Sequence, residues 1–299
     1  MGSSDIIPDA NRVGDALLRP EDESWAQSSD FSQKNTVILI HGFTANGKYL
    51  LPLANYLNGM DFRALLFSYN SYRGIEAAAI SLEHLLVKMD LGTQGSVRKN
   101  RIFLVAHSMG GLVARAFAVR DFGRQVVRGL SLFGTPNNGT LTDAEFLNHL
   151  IDYGESISEA MPYARNAACR SAQELTKSDG SPPFIDRLNA AWNAQGMQIP
   201  IRTISGGKNH LEFGRNALVN WFINRTIQKQ FDGAVNDGLV SESSSDISNV
   251  LTSPLPQHIS HFKNYPEYSD MNHSYMIANQ SLALEVAGWF RELMSHSGE

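Results

Sequence analysis

The sequence predicts an α/β fold: a mostly parallel, doubly wound sheet with an inserted helical cap. Three observations carry this expectation. Short, continuous apolar runs such as Thr36-Val-Ile-Leu-Ile40 and Ile102-Phe-Leu-Val105 have the character of strands buried on both faces. Segments with apolar residues at helical spacing alternate with these runs, joined by short connections that contain glycine. The run at 102–105 also breaks abruptly at Ala106-His-Ser108-Met-Gly110 and turns helical at once. That is a strand, a tight turn and a helix, with Ser108 at the apex.

Size and composition suit such a fold. The 299 residues, 42% hydrophobic and 18% charged, bury a sizeable core. The expected organisation is an N-terminal extension over 1–35, a core in two parts over 36–139 and 199–299, and a helical cap or lid insertion over 140–198. A net charge of -5 without a polybasic block argues against nucleic acid or an anionic membrane as main partner. No run of eighteen apolar residues offers a membrane span. Cys169 is the single cysteine, so the chain forms neither an internal disulfide nor a thiolate metal cluster. The start Met1-Gly-Ser-Ser-Asp has neither the charged nor the apolar region of a signal peptide, and Ile6 breaks the myristoylation pattern. A cytoplasmic location is the default expectation, a secreted one requiring a leader already removed.

In chain order, residues 1–35 are polar and aperiodic, an extension on the surface with Trp25 and Phe31 as its anchors. Residues 36–40 form the first core strand and end at His41-Gly42-Phe43-Thr44. A helix over 48–58, a strand over 62–69 and a helix over 74–89 follow, the last with Ile75, Ala78, Ala79, Leu82 and Leu86 on one face. The serine turn comes next, then a buried strand over 126–133 that ends in Gly134-Thr-Pro-Asn-Asn-Gly139. From 140 to 198 the rhythm stops. Helical patches without a strand imply an insertion, and a connection of that length is usually either a mis-assignment or a functional lid. In it, Phe146, Leu147, Leu150, Ile151, Ile157 and Met161 suit a cover over the site and equally a face packed on the core, with Asp143, Asp152 and Glu155 as solvated charges. A strand over 199–205, a helix over 211–230 with Trp221 and Phe222 on one face, a polar loop from Asn236, a strand over 258–262 and a helix over 274–294 complete the chain.

The serine at the apex suggests nucleophilic chemistry. A residue on so sharp a turn is held in strained backbone geometry, which needs small neighbours two before and two after. The alternative is an ordinary serine capping a helix. A serine hydroxyl attacks a carbonyl usefully only if a base takes its proton. In enzymes built on such a turn the chain order is serine, acid, histidine, the last two on loops at the carboxyl edge of later strands. Of the downstream histidines, His258 and His261 fall in a strand and His296 in the C-terminal tail, which leaves His273, directly before the last helix. Asp237, in a Gly-containing turn, is the favoured acid, with Asp232 and Asp246 as rivals. Both His273 and Asp237 also read as an ordinary loop histidine and turn-forming aspartate. An oxyanion needs two donors, and the backbone N–H groups of Met109 and Phe43 are the candidates. His41 fits a structural role, His107 packs beside the turn, and Tyr72-Arg73 either touches substrate or closes a turn.

Taken together, His41-Gly42-Phe43, Ala106-His-Ser108-Met-Gly110-Gly111, Gly134-Thr-Pro-Asn-Asn-Gly-Thr140, Asn236-Asp237-Gly-Leu-Val-Ser241 and Met271-Asn-His273 resemble the α/β-hydrolase superfamily, and more narrowly bacterial lipases and esterases. Ala106 stands where glycine is usual, a variant also found among small bacterial lipases. The resemblance implies a carboxylic-ester hydrolase with a Ser108-Asp237-His273 triad, an acyl-enzyme on Ser108 and a small-molecule or lipid ester as substrate, with transient contact of the cap with a lipid interface. No cofactor is implied. Many such lipases hold a structural calcium partly through an aspartate two residues after the catalytic histidine, but Tyr275 occupies that position. An acyltransferase or thioesterase would use the same triad, and a hydrolase-fold binding protein that has lost its chemistry would keep the pocket.

Overall fold

The computed structural model describes residues 14–31, 35–92, 95, 97, 101–140, 170–195, 198–211, 217–252, 259–263 and 265–295. Among them, seven strands form one sheet: β1 Ala16–Leu18, β2 Thr36–Ile40, β3 Arg63–Ser68, β4 Ile102–His107, β5 Val127–Phe133, β6 Ile201–Ile204 and β7 Ile259–Phe262. Their order is β1-β3-β2-β4-β5-β6-β7, with β1 antiparallel to β3 and every other pair parallel. The expected α/β class and doubly wound sheet are therefore present.

Alternation along the strands divides the core into two layers. On one face Ile38, Ile40, Leu65, Phe67, Leu104, Ala106, Leu130 and Leu132 pack against the helices Ile75–Gly92 and Met109–Ala118. On the other, Val37, Leu39, Ala64, Leu66, Phe103, Val105 and Phe133 meet the helices Leu51–Asn58 and Gln280–Ser295. Both faces of the central strands are dry, which explains why the runs at 36–40 and 102–105 lack the polar residues of a half-exposed strand.

The strand order also positions the site. From β2 the chain moves to β3 on one side, whereas from β4 it moves to β5 on the other, although β2 and β4 are neighbours. The chain therefore changes direction between the carboxyl ends of β2 and β4, the usual ligand position in an open parallel sheet. His41-Gly42-Phe43 follows β2, and Ser108 follows β4.

Several elements differ from the sequence reading. The expected surface extension contributes β1, whose three residues are too few to show a period. Trp25 is 57% exposed and is no anchor, whereas Phe31 is buried as expected. Asp30 fastens this segment: its carboxylate accepts Arg19 Nε at 3.0 Å, Arg63 Nη2 at 2.9 Å and the Gln27 N–H at 2.8 Å. Together the two arginines and the backbone N–H hold its pKa below the usual carboxylate range, although burial opposes them. The helix expected from 211 runs over Ala217–Phe231, with Trp221 exposed and the Phe222 side chain outside the described set. The last helix starts at Gln280, because Asn279 Oδ1 accepts the Leu282 N–H at 2.9 Å as its cap.

Two helices, Arg170–Leu175 and Phe184–Ala194, fall within the stretch 140–198. The series from Phe146 to Met161, with Asp143, Asp152 and Glu155, lies outside the described residues, as do Cys169, His258 and His296. The Thr140 N–H donates to the Leu175 carbonyl at 3.0 Å. The segment from Arg170 to Leu175 is docked on the first turn of helix Ile75–Gly92. There Ser171 Oγ accepts the Gly74 N–H at 2.9 Å and Glu174 Oε2 accepts that of Ile75 at 2.5 Å. Among the described residues no helix is long and apolar enough to cross a membrane.

Candidate active site

Ser108 sits between β4 and the elbow helix Met109–Ala118 with φ 55° and ψ -131°. A non-glycine residue at such a positive φ is strained and persists only when its surroundings over-determine it. They do so here. The Ser108 N–H donates to the Phe133 carbonyl at 2.8 Å, tying the turn to the end of β5. A Cβ on Gly110 would come within 2.4 Å of both the Ile40 and His41 carbonyl oxygens, and one on Gly111 within 1.9 Å of Thr135 Oγ1. Only glycines let the elbow helix approach β2 and the loop after β5 this closely.

The β2 loop meets the turn directly. A Cβ on Gly42 would lie 2.7 Å from Ser108 Cβ and 3.3 Å from Ser108 Oγ, so Gly42 lies directly beside the hydroxyl. Phe43 is half-buried, its ring edge-on to Tyr72 at 5.6 Å, and Thr44 N–H donates to Ser71 Oγ at 3.1 Å. Met109 is fully buried at the first turn of the elbow helix, where backbone N–H groups are without intrahelical acceptors.

His41 underlies this loop. Its Nδ1 bonds the Gly42 carbonyl at 2.9 Å and its Nε2 accepts the Tyr69 N–H at 3.2 Å, with the ring stacked on Tyr69 at 4.2 Å. A carbonyl only accepts, so Nδ1 carries the hydrogen and the ring is neutral. Burial pushes its pKa down to about 4. Burial, the neighbouring His273 and His41 also push His107 well below the ordinary value. The consequence for stability has a definite sign. Below about pH 6.5 the unfolded chain binds protons that the folded protein refuses, so stability present above that pH is lost as pH falls. His41 alone accounts for about 2 kcal/mol between pH 6.5 and 5, above the range where most carboxylates titrate. Urea unfolding at pH 7, 6 and 5 is expected to show the midpoint falling over this window; a flat response would contradict the neutral, buried state of both rings.

On the far side, Asp237 and His273 are brought together from loops 36 residues apart. Asp237 Oδ2 lies 2.8 Å from His273 Nδ1, and the His273 N–H donates to the Asp237 carbonyl at 2.7 Å. Asp237 Oδ1 accepts the N–H groups of Leu239 at 3.1 Å and Val240 at 2.9 Å. Both side chains are almost wholly buried. Gly238 makes this tight turn with φ 106°. Asn272 Oδ1 accepts the N–H groups of Ser274 and Tyr275, which shapes the loop around His273. Gly134, φ 53°, backs the pair: a Cβ there would come within 2.8 Å of Asp237 Oδ2 and 2.9 Å of His273 Nδ1. Since Phe133 binds the Ser108 N–H, one short segment at the end of β5 touches both halves of the site.

The rival residues are placed elsewhere. Asp232 is exposed, and Asp246 caps a short helix by accepting the Ser248 N–H at 2.9 Å. His261 lies between Thr203 Oγ1 at 2.8 Å and Ser205 Oγ at 3.1 Å. Sequence reasoning missed the contact of Gly134 with the Asp237–His273 pair, the bond from His107 to the His273 main chain, and Arg115. The guanidinium of Arg115, fully buried on the elbow helix, donates to Asn137 Oδ1 at 3.1 Å and Asn189 Oδ1 at 2.7 Å. Asn137 in turn bonds the Ser244 and Ser245 carbonyls, linking the elbow helix to the short helix Glu242–Ser245 that follows the Asp237 turn. Burial pushes the Arg115 pKa down to about 9.

Tyr275, two residues after His273, packs under the Lys208 ammonium at 5.8 Å. Among the described residues no group of three or more His, Cys, Asp or Glu is arranged to hold a metal ion.

Comparisons agree with this architecture. A family model described as a PGAP1-like alpha/beta domain matches residues 33–159, which span the core strands from β2 to β5 and the serine turn. No curated protein matches the sequence. Among solved structures, the mature Bacillus licheniformis lipase BlEst2 is similar at 14% identity over 87% of this chain and 92% of that one, with a TM-score of 0.56. The product of the gene lin2722 from Listeria innocua is similar at 14% identity over 85% and 92%, with a TM-score of 0.51. The Legionella pneumophila phospholipase PlaB, in complex with thio-NAD, is similar at 13% identity over 85% of this chain and 58% of that one, with a TM-score of 0.52. Strand order, the crossing at β2 and β4, and these likenesses lead to one conclusion: the chain has the α/β-hydrolase fold.

Proposed function

We propose that the protein is a serine hydrolase of carboxylic esters, of the lipase or esterase type. The observation that carries this reading is the buried Asp237–His273 pair, 2.8 Å apart, which shares the carboxyl edge of the sheet with a serine held at φ 55°. The Asp237 carboxylate only accepts, so His273 carries its hydrogen on Nδ1 and leaves Nε2 as the base. As Ser108 Oγ bonds to the acyl carbon, its proton passes to His273 Nε2, and the carbonyl oxygen becomes an oxyanion held by the Phe43 and Met109 N–H groups. The bond to the alcohol then breaks and His273 protonates the leaving oxygen. Water repeats the sequence on the acyl-enzyme, returning the proton to Ser108. Asp237 orients the imidazole and stabilises its cation without taking the proton.

The lipase and phospholipase likenesses support a lipid or small ester as the substrate. In this reading the insertion over 140–198 sets the acyl length, because its described ends at Thr140 and Leu175 are bonded to each other next to the loop after β5. A fluorophosphonate probe followed by peptide mapping is the direct test, and labelling of Ser108 alone is expected. A p-nitrophenyl ester series from acetate to palmitate then reads the acyl preference. A protein that takes no label and cleaves none of these esters is a hydrolase-fold binding protein, and the proposal fails.

A further inference from the structure

We propose that His107 is a positioning residue for His273, holding the main chain of the base at a set distance from the nucleophile. This rests on the assignment of Ser108 and His273 above. His107 is the last residue of β4, next to Ser108, and is 4% exposed. Its Nε2 lies 2.6 Å from the His273 carbonyl oxygen, 166 residues away in sequence. The carbonyl can only accept, so Nε2–H donates and the ring is a neutral donor rather than a second base. The His107 ring also lies 4.6 Å from the His273 ring.

The bond completes a clamp. The His273 N–H is held by the Asp237 carbonyl and its Nδ1 by Asp237 Oδ2, both from the acid loop. Its carbonyl is held by a residue that shares a peptide bond with Ser108. The path from nucleophile to base thus runs through one peptide and one hydrogen bond, anchored where His107 pairs with Phe133 in the sheet. Tyr49 adds a second brace: its hydroxyl donates to the Ser274 carbonyl at 3.3 Å and its ring lies 5.5 Å from that of His107. Among the described residues, His107 Nδ1 is buried with no hydrogen-bond partner. A neutral imidazole tolerates one bare acceptor there at modest cost, whereas an imidazolium would bury an unmatched N–H and a charge. What this residue supplies is one donor in a fixed place.

The test compares two side chains of similar length, one with a donor and one without. H107M removes the hydrogen bond, and H107Q keeps an N–H directed at the His273 carbonyl. With kcat normalised to sites titrated by fluorophosphonate, H107M is expected to lose about tenfold to a hundredfold in kcat on a soluble p-nitrophenyl ester. KM is expected to change by less than about twofold, because substrate binding does not use this bond. H107Q is expected to recover most of kcat. Wild-type kcat in H107M, or H107Q as impaired as H107M, overturns the proposal. If H107M shows no cooperative unfolding transition, Tyr49→Phe takes its place: a several-fold fall in kcat at constant KM supports the clamp and an unchanged kcat overturns it. His273→Ala separates the two levels of the argument. Full activity in that variant removes the triad itself, whereas an inactive His273→Ala beside a fully active H107M removes only the clamp.

Discussion

Replacing Ser108 with alanine is expected to lower kcat on p-nitrophenyl esters by about 10⁶-fold, the scale on which loss of a serine nucleophile registers. The melting temperature should hardly move. Ser108 is fixed through its main chain, by the N–H bond to the Phe133 carbonyl, and its Cβ is the atom that Gly42 faces. Alanine keeps both features and pays nearly the same strain at φ 55°. Activity and stability are therefore separable at this position, which is the signature of a reacting group rather than a structural one. A Ser108→Ala protein with full activity would remove the assignment and, with it, everything argued for His273.

Asp237→Asn is expected to cost about 10⁴-fold in kcat near pH 7. The reason lies in how the carboxylate is already used. Oδ1 accepts from Leu239 and Val240, so an asparagine must present its carbonyl oxygen to those donors and its NH₂ to His273. His273 Nδ1 must then accept. Its hydrogen moves to Nε2, and the ring can no longer take a proton from Ser108. The geometry of the loop survives because the Val240 carbonyl still receives the N–H of residue 237. Asp246→Asn serves as the control and is expected to keep near wild-type activity, since Asp246 is occupied with Ser248. The large loss appearing in Asp246→Asn instead would identify the wrong acid.

Most of the core was legible because burial on two faces leaves a direct trace in sequence. β2 occupies Thr36–Ile40 as expected, and β4 with its serine turn stands where the apolar run stops. Elements that depend on a partner elsewhere were not legible. β1 is three residues of unremarkable pattern, held by pairing with β3 and by Asp30 acting on Arg19 and Arg63. The last helix starts later than the sequence pattern suggests because the loop around His273 carries helix-compatible residues, and only the Asn279 cap marks the true beginning. Asp237 and His273 could be named as candidates with rivals. Gly134 could not be seen as their support, since its need for a missing Cβ arises from side chains that arrive from two distant loops.

By itself, the sequence determined the class of fold, the strained turn at Ser108 and a short set of residues able to supply an acid, a base and two oxyanion donors. These are local properties: apolar periodicity reports burial, and a serine among small residues between a strand and a helix reports a sharp turn. The tertiary structure alone decided which candidates meet. Setting β2 beside β4 brings Gly42 against Ser108, and the neighbouring order β4-β5-β6 brings the loops of Phe133-Gly134, Asp237 and His273 to one edge. Strand order is a global choice about how faces are buried, and no local period encodes it. Hence the bond from His107 to the His273 carbonyl, which spans 166 residues, was invisible until the sheet was assembled.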